Sequence, residues 1–595
     1  MSILIKYVRV YGFRGLENIE VELGPTTVMT GMNNTGKTSF LKALQLVIGA
    51  RPMVSPDDFF IKGENSSDKI IIDLKIVPLD NEENIIKEFE DIWVELFDID
   101  KIKFDEQEFQ FIPVRTEAYY NKGTGNYKIR QLILPEWPEY QVKSNDVEGN
   151  EKIIYWYEKE CENEKSFRYE ELPFFYMDAL RDIIEDMRLK TSYLGKMISK
   201  IEYSKTDLEA IERQIKELNE TTVSKSEILS DIRDTLKELN TAMDTEGEGI
   251  EITPFTKKIR DLNKGLSIHY ADRNDSFSME YHGTGTRSWS SLLTLKSFIS
   301  QLKKVAEREY LPLNPILALE EPEAHLHPNA QKKLYGQLKE IPGQKIISTH
   351  SPYIAACAEL EELRGFYKSD TVVCNKIDVN NLHSEDIRKI KRQVINTRGE
   401  LFFSRIIVLI EGETEEQALP IFCERFFGRT SIEMEINFIG VGGHGNYKIF
   451  LRIAEAFNIP WFILSDAEKK LADLVKEQVI EVCGKAALQK IIFLDEGKDF
   501  EAQLIQDGYK EEIKEAIKSM ELPKCCNEKH KAAKISEIEG YSDEKIHSII
   551  SSSKTQYAPA IADAIIQNST KELPPKVVQL FKLFNSILSP NKKEE

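Results

Sequence analysis

The segment Gly31–Thr38 constrains this chain most, because its sequence GMNNTGKT matches the phosphate-loop pattern G-x-x-x-x-G-K-[ST] in full. Residues 25–30 read as a short strand and residues 39–48 as a helix, which is the context that such a loop requires. Backbone N–H groups would surround the phosphates of ATP, Lys37 would reach the β- and γ-phosphates, and Thr38 would hold Mg²⁺. The predicted nucleotide-binding residues are Asn33, Asn34, Thr35, Gly36, Lys37, Thr38 and Ser39.

The length and charge of the chain limit the classes of protein to which it can belong. At 595 residues it is too long for one hydrophobic core, so we expect two or more domains. Its formal net charge of −20 disfavours a generally basic nucleic-acid binder, because neutralising phosphates requires positive charge close to the backbone. Any contact with nucleic acid is therefore expected to be a local patch.

Neither a membrane segment nor a disulfide framework is indicated. No stretch is long and apolar enough for a membrane span, and residues 1–6 alternate like a strand rather than a signal peptide. The seven cysteines are scattered, and Cys525 and Cys526 are adjacent instead of spaced as a metal-binding pair. We therefore expect a cytoplasmic protein with free thiols and no membrane partner.

Two acids follow the next strong strand pattern. Residues 315–319 form an apolar run that ends in Glu320 and Glu321, and nucleotide hydrolysis requires a buried strand that delivers carboxylates to its end. We assign Glu320 to the Mg²⁺ ion and Glu321 to orienting and deprotonating the attacking water. A second apolar strand at residues 345–349 ends in His350, which would touch the γ-phosphate and report hydrolysis.

These motifs together resemble the ATPase head of the ABC class, in the branch shared by recombination-repair and overcoming-lysogenization-defect (OLD) proteins. The resemblance rests on the phosphate loop, EEPEAHLHP at residues 320–328, STHSP at 348–352, YGFRGL at 11–16 and ALRD at 179–182. Such heads use a signature loop between these motifs, for which HGTGTRSW at residues 282–289 is the candidate. This segment departs from the common Ser-Gly-Gly-Gln form of the signature loop. A simple turn before a helix that begins near Ser290 explains its sequence equally well.

The polar segment at residues 182–243 is predicted to be a helical hairpin. Apolar residues recur there at helical spacing, and they are Leu208, Ile211, Ile215, Leu218, Ile228, Ile232, Leu236, Leu239 and Met243. A polar break at residues 221–226 separates two arms that are too short for a chromosome-maintenance coiled coil. We interpret the hairpin as a packing or dimerisation element, and we expect at least a dimer. Residues 82–169 are unassigned insertions into the head.

The last third of the chain alternates short apolar strands with helices, which predicts a small parallel βαβ sheet. The strands are residues 406–410, 436–439, 461–464 and 491–494. Acids follow three of these strands, and glycines follow the other, at Gly440, Gly442 and Gly443. A tight turn is a simpler interpretation of these glycines than a second phosphate-binding loop. Clustered carboxylates repel one another unless cations bind, so this edge predicts Mg²⁺ or Mn²⁺. Two such ions can activate a water for phosphodiester hydrolysis.

This arrangement resembles the TOPRIM domain of OLD-type nucleases. The resemblance implies that Glu411, Asp466 and Glu468 are catalytic metal ligands, with Glu468 in the place of the usual aspartate. It also implies further ligands at Glu415, Asp499 and Glu501, and a downstream lysine, for which Lys554 is the candidate, that would stabilise charge on the scissile phosphate. Taken singly, each acid reads better as a solvated helix cap, and only the set of strand ends favours a metal site.

We therefore predict an α/β protein in which an ABC-type ATPase head with a helical-hairpin insertion precedes a TOPRIM βαβ domain. Residues 1–181 form the first part of the head with the phosphate loop, and residues 182–243 form the helical dimerisation insertion. Residues 244–398 form the second part of the head with the signature-like loop, acids and His350. Residues 399–595 form the TOPRIM nuclease domain.

An ABC-type head followed by a TOPRIM module is the architecture of the OLD family, which includes nucleases of anti-phage systems and effectors coupled to some retrons. The resemblance implies an ATP-regulated, divalent-metal-dependent endonuclease acting on double-stranded DNA in phage defence, with a partner defence protein or retron nucleic acid as further candidate partners. A non-cutting DNA-repair ATPase with structural acids is the alternative. A topoisomerase or primase fits less well, because neither a catalytic-tyrosine domain nor a zinc ribbon is legible.

Overall fold

The computed structural model describes most of both predicted catalytic modules. The described ranges are residues 2–49, 54–63, 65–145, 151–161, 167, 171–179, 183–184, 204–232, 269–272, 275–466, 469–567 and 572–588. The chain divides into two compact units. The larger unit comprises Met1–Tyr176, Ile316–Pro322 and Gly343–Glu595, and the smaller unit comprises Met177–Pro315 and Glu323–Pro342.

An antiparallel sheet forms the amino-terminal part of the larger unit. Its strands are Ser2–Phe13, Leu16–Glu22, Lys69–Leu79, Lys103–Phe104, Gln110–Asn121 and Asn126–Ile133. Asp73 and Arg115 face each other on adjacent strands, and their fully buried side chains form a bidentate pair with both N–O distances at 2.8 Å. Either charge alone would be costly to bury, so the pair favours this register. The unassigned residues 82–169 thus contribute strands to this sheet.

A second sheet of the larger unit carries the predicted nucleotide-binding motifs. Its strands, in spatial order, are Phe174–Met177, Ile316–Glu320, Gln344–Ser348, Thr26–Thr30, Leu363–Lys368 and Val372–Asn375. The four central strands are parallel, and the helix Lys37–Val47 follows the strand Thr26–Thr30 across the phosphate loop. The phosphate loop, the paired acids and His350 therefore leave the sheet at one edge.

The carboxy-terminal sheet is parallel throughout, as the sequence predicts. Its strands, in spatial order, are Ile436–Gly440, Ile406–Ile410, Trp461–Ser465 and Ile491–Phe493. Val408 lies beside Phe438 on one neighbouring strand and beside Phe462 on the other. The ends of the strands at Glu411 and Asp466 therefore lie next to each other.

Helices pack on the carboxy-terminal sheet and continue the chain beyond it. They are Glu413–Phe427, Tyr447–Ala456, Lys469–Cys483, Phe500–Gln506, Lys510–Glu521, Glu528–Glu539, Asp543–Ser552, Lys554–Gln567 and Pro575–Leu588. Phe422, Phe581 and Phe584 are fully buried in the core that these helices share with the strands. Burial of side chains of this size contributes about 1.5–3 kcal/mol each. The final helices are therefore part of the core of this domain.

The smaller unit is mainly helical over its described residues. Its helices are Lys205–Lys225, Thr284–Glu309 and Pro328–Lys339, and its strands His269–Asp272 and Asp275–Ser278 form a hairpin. The predicted break at residues 221–226 was placed too early, because the helix continues to Lys225 and ends at Ser226. The threonines inside it remain helical by donating their hydroxyls to carbonyl oxygens four residues earlier. Leu236, Leu239 and Met243 lie outside the described residues.

The segment proposed as a signature loop is helical rather than a loop over most of its length. The helix begins at Thr284, with Gly283 as its N-cap, and not near Ser290. Gly285 permits a close approach within this unit, because a Cβ there would lie 2.4 Å from the carbonyl oxygen of His325. Trp289 donates from Nε1 to Gln337 Oε1 at 2.7 Å, which joins the helices Thr284–Glu309 and Pro328–Lys339.

The remaining α-helices of the described chain are short. They include Asp91–Phe97, Pro352–Cys357 and Ser384–Ile390. Among the described residues, no helix combines the length and the apolar character needed to cross a membrane.

Candidate functional site

Two glycines give the phosphate loop its shape. Gly31 and Gly36 have φ values of 133° and 90°, in the region that favours glycine. A Cβ atom at Gly31 would lie 2.1 Å from the carbonyl oxygen of Phe366, and one at Gly36 would lie 2.8 Å from Leu16 Cδ2. Both positions therefore require glycine, which gives the sequence pattern a local physical cause.

Lys37 is the first residue of the helix after this loop, and it is almost fully buried. Its Nζ donates to the carbonyl oxygens of Gly31 and Met32, both at 2.8 Å. The ammonium group is thus held against the loop, beside the amino end of the helix, where both favour an anion. The predicted contact residues Asn33, Asn34 and Thr38 are exposed, Gly36 and Ser39 are half-buried, and Thr35 is buried.

Thr38 and Glu320, the predicted pair for Mg²⁺, meet in the structure although they are far apart in the sequence. Thr38 donates its hydroxyl to Glu320 Oε1, and Tyr176 donates its hydroxyl to Oε2 of the same carboxylate at 2.5 Å. Glu320 is the last residue of its strand, so its position follows from the parallel sheet. Sequence reasoning did not identify Tyr176, because no local pattern relates that strand to the acid.

Glu321 and His350 face each other across adjacent strand ends. His350 Nε2 lies 3.8 Å from Glu321 Oε1, and the Glu321 amide donates to the carbonyl oxygen of Ser348 at 3.0 Å. Glu321 has a φ of 43°, a strained conformation for a residue other than glycine. Burial, together with the charge of the nearby Lys37, lowers the pKa of His350 to about 4. His350 is therefore neutral at pH 7.

Glu411, Glu415 and Asp466 form the centre of the second candidate site. Glu411 follows the strand Ile406–Ile410, and Asp466 follows the adjacent strand Trp461–Ser465. Glu415 lies in the first turn of the helix Glu413–Phe427, where only 4% of it is exposed. Adjacent parallel strands thus bring together acids that are more than fifty residues apart in the chain.

Glu411 accepts contacts on both of its carboxylate oxygens. Ser465 donates its hydroxyl to Oε1, and Tyr447 donates to the same oxygen at 3.3 Å. His444 Nδ1 lies 2.5 Å from Oε2. The sequence prediction missed all of these partners, although Ser465 immediately precedes Asp466 and His444 lies in the glycine-rich turn after the strand Ile436–Gly440.

Asp499, Glu501 and Lys554 form the other side of this cluster. Asp499 accepts from the Ala502 amide at 2.9 Å as the N-cap of the helix Phe500–Gln506, and it also lies 2.8 Å from His547 Nε2. Glu501 is buried, accepts from the Thr414 hydroxyl at 2.7 Å and lies 3.1 Å from Lys554 Nζ. The sequence-predicted lysine therefore reaches the acidic cluster.

The electrostatics of the cluster are those of carboxylates crowded away from water. Burial raises the pKa of Asp466 to about 8, with further increases from Glu415, Glu411, Asp499 and Glu501. Burial also raises the pKa of Glu415 to about 7, and Glu501 adds to the effect. Asp466 and Glu415 therefore retain protons near neutral pH unless a cation compensates their charge.

The donor chemistry of the cluster fits a divalent cation. Asp466 Oδ1 and Glu501 Oε2 are buried oxygens without a hydrogen-bond partner, and buried carboxylate oxygens require compensation. Over the described ranges, no three His, Cys, Asp or Glu side chains converge into a ready-made metal site. The acids are instead directed to separate partners, such as His444 for Glu411 and His547 for Asp499. Glu468 lies outside the described residues.

Comparison with known proteins identifies two matching families. The model of the AAA ATPase domain matches residues 4–355, and that of the overcoming lysogenization defect protein-like TOPRIM domain matches residues 402–467. An OLD nuclease of Thermus scotoductus is 22% identical over 489 residues, which cover 78% of this chain and 82% of that protein. Endonuclease GajA of Bacillus cereus is 23% identical over 267 residues, covering 39% and 38% of the two chains. The crystallised C-terminal region of the Xanthomonas campestris OLD protein is 21% identical, with a TM-score of 0.27, and covers 32% of this chain and 97% of that one.

The raised pKa values of Asp466 and Glu415 predict that metal-free protein loses stability as the pH rises. The folded protein binds more protons than the unfolded chain up to the folded pKa values of about 7 and about 8, so the free energy of unfolding falls with pH in this range. We expect the thermal midpoint in EDTA to fall between about pH 7.5 and pH 8.5, which lies above the pKa of His350 in both the unfolded and the folded protein. Mn²⁺ should reverse this fall.

Asp466→Asn is the control for this measurement, because Asp466 has the higher pKa of these two carboxyl groups. Its thermal midpoint in EDTA should change less with pH than that of the wild type. A wild-type midpoint that rises over the same range would contradict the proton binding assigned to these two acids.

Proposed function

Because this chain belongs to the AAA ATPase domain family and carries an OLD-like TOPRIM domain, we propose that it is an ATP-regulated endonuclease that cuts double-stranded DNA with Mg²⁺ or Mn²⁺. The observation that carries the proposal is the position of Asp466 among Glu411, Glu415, Asp499 and Glu501, each of which raises its pKa. Such a set of oxygen donors is suited to hard divalent cations. The names of the relatives, OLD nuclease and endonuclease GajA, support cleavage of nucleic acid.

In the ATPase part, Lys37 and the phosphate loop would bind the nucleotide, and Thr38 with Glu320 would hold its Mg²⁺ ion. Glu321 would accept a proton from the attacking water. His350 is neutral, so it would contact the γ-phosphate by a hydrogen bond rather than as a cation. The contact between Thr38 and Glu320 supports this assignment, because it joins the two motifs that must share one ion.

In the TOPRIM part, Glu411, Glu415 and Asp466 would hold divalent cations, with Asp499, Glu501 and the undescribed Glu468 as further ligands. Bound cations would supply an activated water and stabilise the leaving oxygen of the phosphodiester. Lys554 would stabilise negative charge on the scissile phosphate. Its ion pair with Glu501 keeps the ammonium group beside the acids.

We assign this activity to anti-phage defence, with ATP as the gate and with a partner defence protein or retron nucleic acid as a further ligand. ATP can shift the nuclease between states only through different affinities for those states, and ATP either promotes or suppresses cutting. A non-cutting repair ATPase is the second candidate. The pairing of individual acids with His547, Lys554 and Thr414 favours it, because such contacts also serve a purely structural cluster.

For the ATPase site, we expect Lys37→Ala to abolish ATP binding, because the ammonium group contacts phosphate in the ground state. Glu321→Gln should bind ATP normally but hydrolyse it about 100-fold or more slowly, because a general base acts only in the transition state. Equilibrium binding and phosphate release measure the two effects separately. Equal loss of ATP affinity in both variants would refute the role of Glu321.

For the nuclease site, we expect the wild type to nick or cut plasmid DNA with Mg²⁺ or Mn²⁺, and Glu411→Ala and Asp466→Ala to lose this activity. Each change removes an oxygen ligand, so the cation should leave or lose its geometry. ATP hydrolysis should persist in both variants. Gel analysis of plasmid forms at several metal concentrations is the measurement.

The matched control for the nuclease variants is Asp473→Ala, which removes an exposed acid from the helix Lys469–Cys483 of the same domain. It should cut like the wild type. Wild-type protein that cleaves no form of DNA, with ATP, with ADP or without nucleotide, would favour the non-cutting ATPase instead.

We also propose that the chain self-associates through the helical insertion and the ATPase heads. Leu218, Ile228 and Ile232 are 50%, 73% and 44% exposed, and an apolar stripe of this kind is stabilised by burial against a second copy. Light scattering at micromolar concentration should give at least a dimer, and Ile228→Asp with Ile232→Asp should weaken it. A wild-type monomer with and without ATP would overturn this proposal.

A further inference from the structure

His444 occupies a position that neither the sequence motifs nor the family matches assign to a role. It lies in the glycine-rich turn after the strand Ile436–Gly440, and its Nδ1 is 2.5 Å from Glu411 Oε2. We propose that His444 is a positioning residue that orients the Glu411 carboxylate for divalent-cation binding. This inference rests on the proposed metal-dependent site and adds a residue to it.

The backbone of the turn that carries His444 is held by side-chain hydrogen bonds. Gly442 and Gly443 have φ values of 69° and 122°, which form a tight turn that places the imidazole. Asn446 Nδ2 donates to the carbonyl oxygens of Val441 at 3.0 Å and Gly442 at 3.3 Å. Gln478 is almost fully buried on the helix Lys469–Cys483, and its Nε2 donates to the carbonyl oxygen of His444 at 2.7 Å.

These contacts indicate a turn with a well-defined conformation rather than a loose surface loop. Val441 and Gly442, which precede His444, are held by the side chain of Asn446, and His444 itself is held through its carbonyl oxygen. The imidazole is therefore directed by its backbone, which is a requirement for a residue that orients another side chain.

The contact with His444 completes the immobilisation of the Glu411 carboxylate. Ser465 and Tyr447 donate to Oε1, and His444 Nδ1 lies 2.5 Å from Oε2. A carboxylate oxygen has two acceptor positions, so the two hydroxyls occupy those of Oε1, and Oε2, beside His444, is the oxygen left for a cation. A glutamate that is held in this way loses little additional side-chain freedom when a cation binds.

Asp466, across the strand pair, differs in this respect. Its Oδ1 is buried and has no hydrogen-bond partner, whereas Glu411 Oε1 accepts from two hydroxyls. Glu411 is thus the preorganised ligand, and Asp466 is the ligand whose negative charge a bound cation has to compensate. Outer partners of this kind typically contribute about 10- to 100-fold to metal affinity.

The proposed role depends on Nδ1. Substitution of His444 by asparagine or by glutamine can show which ring nitrogen is required. Asparagine can place an N–H donor close to the position of Nδ1, whereas glutamine places one close to the position of Nε2. A direct role of Nε2 toward water or the cation would therefore be retained by glutamine and lost with asparagine. Positioning through Nδ1 gives the opposite order.

The experiment compares His444→Ala, His444→Asn and His444→Gln in the full-length protein after treatment with EDTA. Isothermal titration calorimetry with MnCl₂ measures metal affinity directly. Plasmid cleavage as a function of Mn²⁺ concentration measures how much metal the cleavage activity requires. We expect His444→Ala to weaken Mn²⁺ binding about 10- to 100-fold and His444→Asn to restore it to within about 3-fold of the wild type. Cleavage by His444→Ala should recover at saturating Mn²⁺.

His530→Ala is the matched control, because His530 is an exposed histidine on the helix Glu528–Glu539 of the same domain. It should bind Mn²⁺ like the wild type. Thermal unfolding of each variant in EDTA verifies the fold, and His444→Asn keeps the test decisive if His444→Ala unfolds.

The outcomes separate this inference from the proposed function. Wild-type protein that binds Mn²⁺ but cuts no DNA would reject the nuclease, while the affinities of the His444 variants would still decide the positioning role. Unchanged Mn²⁺ affinity in His444→Ala, rescue by glutamine instead of asparagine, or a wild type that binds no Mn²⁺ would each overturn the inference.

Discussion

Parallel strand pairing is the constraint on which both candidate sites depend. In the nucleotide-binding sheet, it places Glu320 beside Ser348, one strand from the strand that enters the phosphate loop. In the carboxy-terminal sheet, it places the end of Ile406–Ile410 beside the end of Trp461–Ser465. Parallel strands direct all their carboxyl ends to one edge, so residues from distant parts of the sequence meet without any long loop. The chemistry of each site then depends on what stands immediately after each strand.

The meeting of strand ends at one edge of the sheet also has an electrostatic consequence. Neighbouring strand ends that carry acids bring like charges together, and His444, His547 and Lys554 each lie beside one of these carboxylates. Compensation is incomplete at Asp466, whose pKa rises to about 8. A divalent cation would relieve this repulsion and would release the bound protons. Metal affinity, pH dependence and stability are therefore linked properties of one cluster.

The sequence predicted those parts of the structure that depend on local pattern. The strand Ile406–Ile410 has the predicted bounds, and the strand before the phosphate loop differs by one residue. Tyr176, His444 and Tyr447 could not be found in this way, because each acts on an acid that only the tertiary fold brings near. The helix Thr284–Glu309 began earlier than predicted because polar and glycine residues in its first turn look like a turn in isolation.

A short, packed segment connects the two catalytic edges within the larger unit. The ring of His350 lies 6.1 Å from that of Phe403, and a Cβ at Gly399 would lie 2.5 Å from the carbonyl oxygen of Pro352. Ser404 then accepts from Asn437 Nδ2 at 2.6 Å, two residues before the strand Ile406–Ile410 that precedes Glu411. If a bound nucleotide displaced His350, the His350 side chain would therefore push against packed side chains rather than against a flexible linker. Such a contact path carries regulation only if the segment has two arrangements that bind nucleotide with different affinity.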